Sequence, residues 1–554
     1  MRTYSMKRNI LNIAAAFAIL AVDAGAQNLD PTVEVSRAYE GKLIEVHKPV
    51  LEMAVPDTIH RFDLDFDYAV SESPYRGSYE FNPYTMSMKP TSSRRKHGTF
   101  YLNAGAGYTL HPVVDAVWSP ALNKDNMSLD VYAVNRSYVG NYYASGGGED
   151  WFGYDFLSKA GASYRIGWGG GTFRVGAEYN GVALKDCFKS RMYDAVDVDL
   201  SVASVASSAT KFMYDLNFRY RFAEDKIRDY AQGDYLSEHL FRFDAVLGPK
   251  IGKHKILIDL GVEYDMYAGD IHGGIGEVAV VPRYAYEKGG LKIDAGLRFS
   301  LLMTNNADKS VFGSSGQLFY PDVKVSYALA PDALKVYAFA GGGNKINTYA
   351  SMIAENHHFD LGYGRSLSPL LDVTLERISG AAGLEGRIGS AFSYDLRAGY
   401  ADYANAPMAA VVDVDGTLLP AFGYSASRKW FAVVEWNLDM ERVRFDGSAV
   451  YTNTWGYDRQ RFIAPSAVSG DVSFVYNWKK RIFAGVDCEW ALGRRNAVYT
   501  VPGYADLGAY AEYVAARRMS FWLRAGNLLN MNIQRDMLFA EKGINFTVGI
   551  KLNL

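Results

Sequence analysis

The chain has 554 residues, 58 basic and 61 acidic, and a formal net charge of −3, a balance that leaves no broad basic surface for nucleic acid. Its two cysteines, Cys187 and Cys488, lie far apart and exclude a disulfide scaffold. The 40 Tyr, 53 Gly and 29 Phe against 17 Pro suit an all-β protein, and after the first segment no apolar run approaches the roughly 20 residues of a membrane helix.

The first 26 residues read as a secretory signal peptide. Arg2, Lys7 and Arg8 precede an apolar stretch from Ile10 to Val22, and Ala24-Gly25-Ala26 then offers a small-residue cleavage site before Gln27. That stretch is too short for about 30 Å of hydrocarbon. No Cys follows the site, which argues against a lipoprotein.

Residues 27–96 have a different texture. Pro74, Pro83 and Pro90 impose extended or turn conformations, and Phe62, Phe66, Tyr68, Tyr75, Tyr79, Phe81 and Tyr84 supply contact surface. They are expected to form a short periplasmic extension that docks on the chain's own remainder or on a partner.

From residue 97 onward a two-residue alternation recurs. Phe100, Leu102, Ala104, Ala106 and Tyr108 alternate with Tyr101, Asn103, Gly105 and Gly107. Phe212 to Phe222, Ile256 to Met266, Leu291 to Leu301 and Val443 to Tyr451 repeat it, with Asp215, Arg219, Arg221, Glu263 and Asp265 on the polar side. Successive strand side chains point to opposite faces, so each segment is a two-faced strand. Segments of about nine to eleven residues match strands that cross a bilayer at a tilt, and globular strands are usually about half as long. Connections alternate between short, such as Gly252–His254 and Lys479–Arg481, and long, such as Asn344–Asp372 and Ala404–Arg428. Short turns on one side and long loops on the other mark outer-membrane barrels. The expected fold is a transmembrane antiparallel β-barrel over residues 97–554 with about 22 strands, within a range of about 18 to 22.

The chain stops on a strand whose apolar set is Phe546, Val548, Ile550, Leu552 and Leu554. This is expected of a terminal strand that closes the barrel against the first strand and is read by barrel-insertion machinery. Just upstream, Gly526-Asn527-Leu528-Leu529-Asn530 resembles the turn before the last strand of TonB-dependent receptor barrels, with Leu529 where that family more often has an aromatic. The resemblance, in a style similar to Bacteroidota members, covers the barrel and implies 22 strands and transport. It also implies a globular plug, for which residues 27–96 are too short, so the chain reads as a plug-less variant. Thr32-Val33-Glu34-Val35-Ser36 looks loosely like a TonB box, which would make TonB a partner.

A barrel this wide encloses a lumen that is normally plugged. The loops Asn344–Asp372 and Ala404–Arg428 are the expected internal fillers. No enzymatic chemistry is expected. His357 and His358 are adjacent with no third metal ligand at useful spacing, Asp413-Val414-Asp415-Gly416 lacks the later ligands of a calcium loop and reads as a tight turn, and no nucleophile or phosphate-loop motif occurs, so neither a catalytic residue nor a cofactor is expected. Tyr142, Tyr143, Trp151, Phe152, Trp430, Trp455, Trp478 and Trp490 read as interfacial girdles. Two functions remain: transport of an unidentified solute through an outer-membrane barrel gated by loops or a partner, or a non-conducting structural subunit that anchors lipoprotein partners.

Overall fold

The computed structural model describes residues 99–554, except 109, 123, 125, 143–149, 188, 206–210, 230–232, 270, 306–315, 359–370 and 415, together with Phe62–Leu64 and Met88–Pro90. The expected signal peptide and almost all of the expected extension lie outside these residues. Phe62–Leu64 pairs antiparallel with Met88–Pro90.

Twenty-two long antiparallel strands close into one barrel. The first eight are β1 (Thr99–Tyr108), β2 (Val113–Ser119), β3 (Met127–Tyr142), β4 (Trp151–Trp168), β5 (Gly171–Lys185), β6 (Lys189–Ser204), β7 (Phe212–Asp229) and β8 (Gly233–Ile251). The next seven are β9 (His254–Gly269), β10 (Gly273–Lys288), β11 (Leu291–Asn305), β12 (Phe319–Ala330), β13 (Leu334–Ile346), β14 (Val373–Ile388) and β15 (Phe392–Val414). The ring is completed by β16 (Thr417–Asp439), β17 (Val443–Trp455), β18 (Val468–Trp478), β19 (Ile482–Ala491), β20 (Tyr504–Ala516), β21 (Met519–Gly526) and β22 (Asn545–Asn553). The start of β1 and the end of β22 share one rim, here called the termini rim, and the longer connections lie at the other, the loop rim.

The seam is fully bonded. β22 runs against β1 from Phe546↔Tyr108 to Asn553↔Tyr101, and Phe100 and Leu554 exchange both backbone bonds at 2.8 Å. Trp522 lies across it on the lumen side. Its indole N–H donates to Asn103 Oδ1 at 2.7 Å, and its ring occupies the space that a Cβ on Gly105 or Gly549 would enter.

The alternation sorts as its chemistry requires. Phe299, Leu301, Ile256, Ile258, Leu523 and Val548 are exposed on the outer face. The inner face carries charges that pair across neighbouring strands, Arg136–Asp115, Lys159–Glu178, Arg221–Asp197, Arg298–Glu277 and Arg397–Glu435, and Lys551–Glu512 reaches across the intervening β21, all at 2.5 to 2.9 Å. An apolar exterior is matched by hydrocarbon and a charged interior by water, the reverse of a soluble barrel.

Two expectations about the wall need correction. Strand lengths near nine to eleven fit β1, β18, β19 and β22, but β15 and β16 have 23 residues each. Hairpins keep their ladder bonds above the apolar band, where the sequence is polar on both faces and the alternation fades. The segment Ala404–Arg428 is accordingly not a lumen-filling loop. It is the tip of the β15–β16 hairpin, paired to Val414↔Thr417 with a register shift between Tyr403 and Ala406. Its apolar run hides the alternation because both faces are covered: Ala409 and Val411 pack with Ile463, Val501 and Leu538, and Met408 and Ala410 pack with Ala421 and Phe462. At the tip, Asp413 accepts from the Gly416 N–H at 2.8 Å, a tight turn.

Candidate functional site

At the loop rim, two described segments of the chain fold inward. After β13, Thr348 caps a short helix, α1 (Tyr349–Glu355), by accepting from the Ser351 N–H. Tyr349, Ala350, Met352 and Ile353 form its buried stripe. They pack against Tyr193 and Ala195 of β6, Ala223 of β7, Leu236 of β8, Tyr267 of β9 and Ile275 of β10. These wall residues share the inner face with Asp197, Arg221 and Glu263, so α1 lies inside the lumen.

Polar groups of the wall fix the helix. The Ala350 N–H donates to Glu238 Oε2 at 2.8 Å, and the Tyr349 N–H donates to the Tyr267 hydroxyl at 3.1 Å, which in turn donates to Asp265. Arg191, wholly buried, pairs with Asp225 at 3.0 Å and donates to the His357 carbonyl at 2.6 Å. The Tyr349 hydroxyl donates to the same Asp225. Lys189 Nζ donates to the His358 carbonyl at 2.9 Å. The wall thus supplies acceptors to N–H groups of the first helical turn, which have no partner within the helix, and donors to two carbonyls of the chain beyond its end.

A second inward segment connects β21 to β22. Asn527 and Asn530 both adopt left-handed backbone, at φ 46° and 49°, which Asn tolerates better than most residues. Asn527 donates through its side chain to the carbonyls of Met531 and Lys542 and accepts from the Met531 N–H; Asn530 Oδ1 accepts from the Ile544 N–H. The two asparagines tie the base of the segment together. Leu528 reaches the wall through its N–H, bonded to the Leu507 carbonyl at 2.8 Å, and its side chain has no part in that tie.

Further along, Arg535 is buried and spreads its guanidinium over Glu489 (3.1 and 2.9 Å), Asp506 (2.9 Å) and Glu541 (2.5 Å), with Tyr504 beneath it. Arg494 donates to its carbonyl. Ile533, Met537, Leu538, Phe539 and Ala540 are buried around it.

The two segments meet at His358, whose imidazole stacks on Phe539 at 3.6 Å and bonds Asp186 at 3.0 Å. His357 faces Asp155 at 3.8 Å. Burial works against its charged form, yet Asp155 and Asp536 hold its pKa above the ordinary histidine value. Burial raises Asp536 and pushes Glu541 up to about 7 against the pull of Arg535, and it lowers Lys542. Apolar packing of both segments is thus combined with buried polar contacts, several of which carry a titrating partner.

The expected site residues divide accordingly. Phe546, Val548, Ile550, Leu552 and Leu554 lie on the outer edge of the seam, and Asn527, Leu528 and Asn530 at the base of the second inward segment. The loop Asn344–Asp372 contributes α1. Of the expected girdle, Phe152, Trp430 and Trp478 are exposed, whereas Tyr142 is buried and stacks on Trp151 at 4.1 Å; Tyr143 lies outside the described residues. Sequence reading misses Arg191, Arg535 and Glu238, and gives Asp265 only as a polar-face charge. Their contacts to the inward segments leave no local signal, because the partners, such as the His357 carbonyl for Arg191 and Glu489 for Arg535, lie far along the chain.

No protein-family model matches the sequence, and no curated protein matches it. Solved structures do. The copper transporter OprC superposes with a TM-score of 0.63 at 9% identity, over 82% of this chain and 80% of that one. The FrpB iron transporter from Neisseria meningitidis gives 0.63 at 8% identity, over 83% and 82%. The Serratia marcescens hemophore receptor HasR, in complex with its hemophore and heme, gives 0.60 at 11% identity, over 83% and 81%. At these identities the likeness establishes the fold, a barrel of the outer-membrane receptor type.

Proposed function

We propose that this chain is an outer-membrane barrel of the TonB-dependent-receptor type that passes a solute, and that the two inward segments form its gate at the extracellular rim. The observation that carries the reading is a charged, laterally paired lumen wall whose mouth is covered by two segments held by buried arginines, Arg191 and Arg535, as well as by apolar packing. A permanent seal has no need of those arginines, because a buried ion pair is often no more stable than apolar groups of similar size. A charged wall also suits passage of a polar or ionic solute. The copper, iron and heme named for the similar structures are properties of those proteins, and the solute here is unidentified.

The rest of the organisation follows from that reading. Residues 1–26 are removed on export, 27–96 form a short periplasmic extension in place of a globular plug, and 97–554 form the membrane-spanning barrel. The seam residues from Phe546 to Leu554 serve the insertion machinery. Thr32–Ser36 is the segment through which TonB would engage.

The test is conductance in planar bilayers, comparing the intact protein with Arg191→Met/Arg535→Met. A quiet intact barrel and an open variant are expected. Steady large conductance from the intact protein would refute gating by these segments. Silence from both, with lipoproteins retained through purification, would favour the structural-subunit function.

A further inference from the structure

At the termini rim, two neighbouring hairpin turns carry an unusual charge. β18–β19 turns through Lys479-Lys480-Arg481 and β20–β21 through Arg517-Arg518. The turns are about 10 Å apart, two strand spacings around the ring. All five side chains are exposed, and among the described residues none has an ion pair. Lys479 lies 5.9 Å from the ring of outward-facing Trp478.

The first turn is also strained. Lys479 and Lys480 both have positive φ, 54° and 56°, and the Arg481 N–H bonds the Trp478 carbonyl at 3.1 Å. A turn with both central residues at positive φ favours Asn-Gly or Gly-Gly, since side chains crowd the backbone there. The two-residue β10–β11 turn meets the same backbone demand with Gly289-Gly290, at φ 57° and 84°. Lysine at both positions works against turn formation and places two charges where glycine would fit better.

Immediately toward the membrane, the outer wall has an apolar depression of about 590 Å³. Its floor is set by the small residues Ala104 and Ala511, and its sides by Tyr513, Phe521, Val548 and Ile550. Cross-strand pairs Ile482↔Tyr513, Tyr513↔Phe521, Phe521↔Ile550 and Ile550↔Ala104 carry it across the seam. Ile482 adjoins Arg481, and Phe521 is three residues from Arg518, about 10 Å along the strand.

We propose that this corner of the barrel is a binding site for an anionic phospholipid. One acyl chain occupies the depression, and the headgroup phosphate sits among the five cations. Charge complementarity selects the occupant: a zwitterionic lipid brings no net charge, and clustered Lys and Arg at a membrane surface favour anionic headgroups. The inference rests on the barrel spanning a membrane with this rim at a phospholipid leaflet.

The test uses the full chain purified in mild detergent and titrated with phosphatidylglycerol or phosphatidylethanolamine of identical acyl chains, read by native mass spectrometry. At least about tenfold preference for phosphatidylglycerol is expected, given the attraction of each surface cation. Lys479→Asn/Lys480→Gly should weaken that preference while the unfolding midpoint stays or rises, a pairing that a merely structural role for the lysines would not produce. Adding Arg481→Gln, Arg517→Gln and Arg518→Gln should abolish it, and Ala511→Phe should reduce retention by filling the depression. No preference in the native protein, or one unchanged by the charge variants, would overturn the proposal. Insertion of the native protein into vesicles, scored separately by flotation, tests the membrane reading on its own.

Discussion

Arg535→Met is the sharpest probe of the closed mouth. The methionine fills most of the same volume but leaves Glu489, Asp506 and Glu541 converging on an uncharged side chain. Removing one partner of a buried ionic group costs about 3–5 kcal/mol, chiefly because the remaining charges stay desolvated. Here the Glu489 and Glu541 side chains are 43% and 28% exposed, so water restores part of their hydration, and the lower end of about 3 kcal/mol applies. At about 1.4 kcal/mol per decade, the undocked population of the segment rises roughly a hundredfold. Hydrogen exchange reads this directly, since the Phe539 and Glu541 N–H groups bond carbonyls within the segment. Both should exchange about a hundredfold faster in the variant, with the barrel strands unaffected. Arg535→Lys should fall between, because an ammonium cannot span three carboxylates as a planar fork does. Exchange within about threefold of the native rate in Arg535→Met would refute the view that this arginine holds the segment.

Docking of the two segments should also depend on pH in a defined direction. The Glu541 pKa is raised to about 7 when docked, so its contribution is fully present below the ordinary carboxyl range and is lost as pH rises through about 7. The raised His357 and Asp536 values act in the same sense, so protease nicking of residues 531–541 should be slower at pH 5 than at pH 8, and Glu541→Gln should flatten the difference. Thr348→Ala removes the helix cap and should lower protection of residues 349–355 by about 1 kcal/mol in hydrogen exchange while leaving the barrel melting unchanged. Gly549→Ala would place a Cβ 2.4 Å from the Trp522 ring and 2.5 Å from the Ala104 carbonyl, and should destabilise the seam by about 1–3 kcal/mol. A lowered urea midpoint, partly restored by Trp522→Ala, is the expected readout.

The wall was legible in the sequence because its code is local. Phe212 to Phe222 alternate strictly, and the opposite set, Asp215, Asn217, Arg219 and Arg221, tells which face is wet. The alternation fails where burial is two-sided, as in Ala406–Val412, and where both faces are polar, as at the end of β7. At the first of these the sequence suggests a loop, Ala404–Arg428, where the structure has a hairpin. The mouth was less legible for a different reason. His358 meets Asp186 across 172 positions, Arg191 meets the His357 carbonyl across 166, and Arg535 meets Glu489 across 46. No short window contains such a pair. The adjacent His357 and His358 lack a third ligand at metal-site spacing, and a contact between two loops, as His358 makes with Phe539, has no sequence signature.

The glycine and aromatic content, read at first only as a mark of β-structure, has a more specific cause. Where the chain leaves out a Cβ, a ring from the neighbouring strand takes the space: Trp522 over Gly549, reaching on to Gly105 one strand further, Trp436 over Gly447, Tyr337 over Gly383, Phe431 over Gly399. A strand glycine is otherwise a weakness, since it adds backbone freedom and packs nothing. A ring lying flat across it restores buried area and fixes the register of the pair, a known remedy in designed sheets. In a barrel whose centre offers the wall water and loops in place of a packed core, that lateral packing, together with the paired charges of the inner face, ties strand to strand. Substitutions on the wall should therefore act through the neighbouring strand, whereas substitutions at Arg191 and Arg535 act across the lumen.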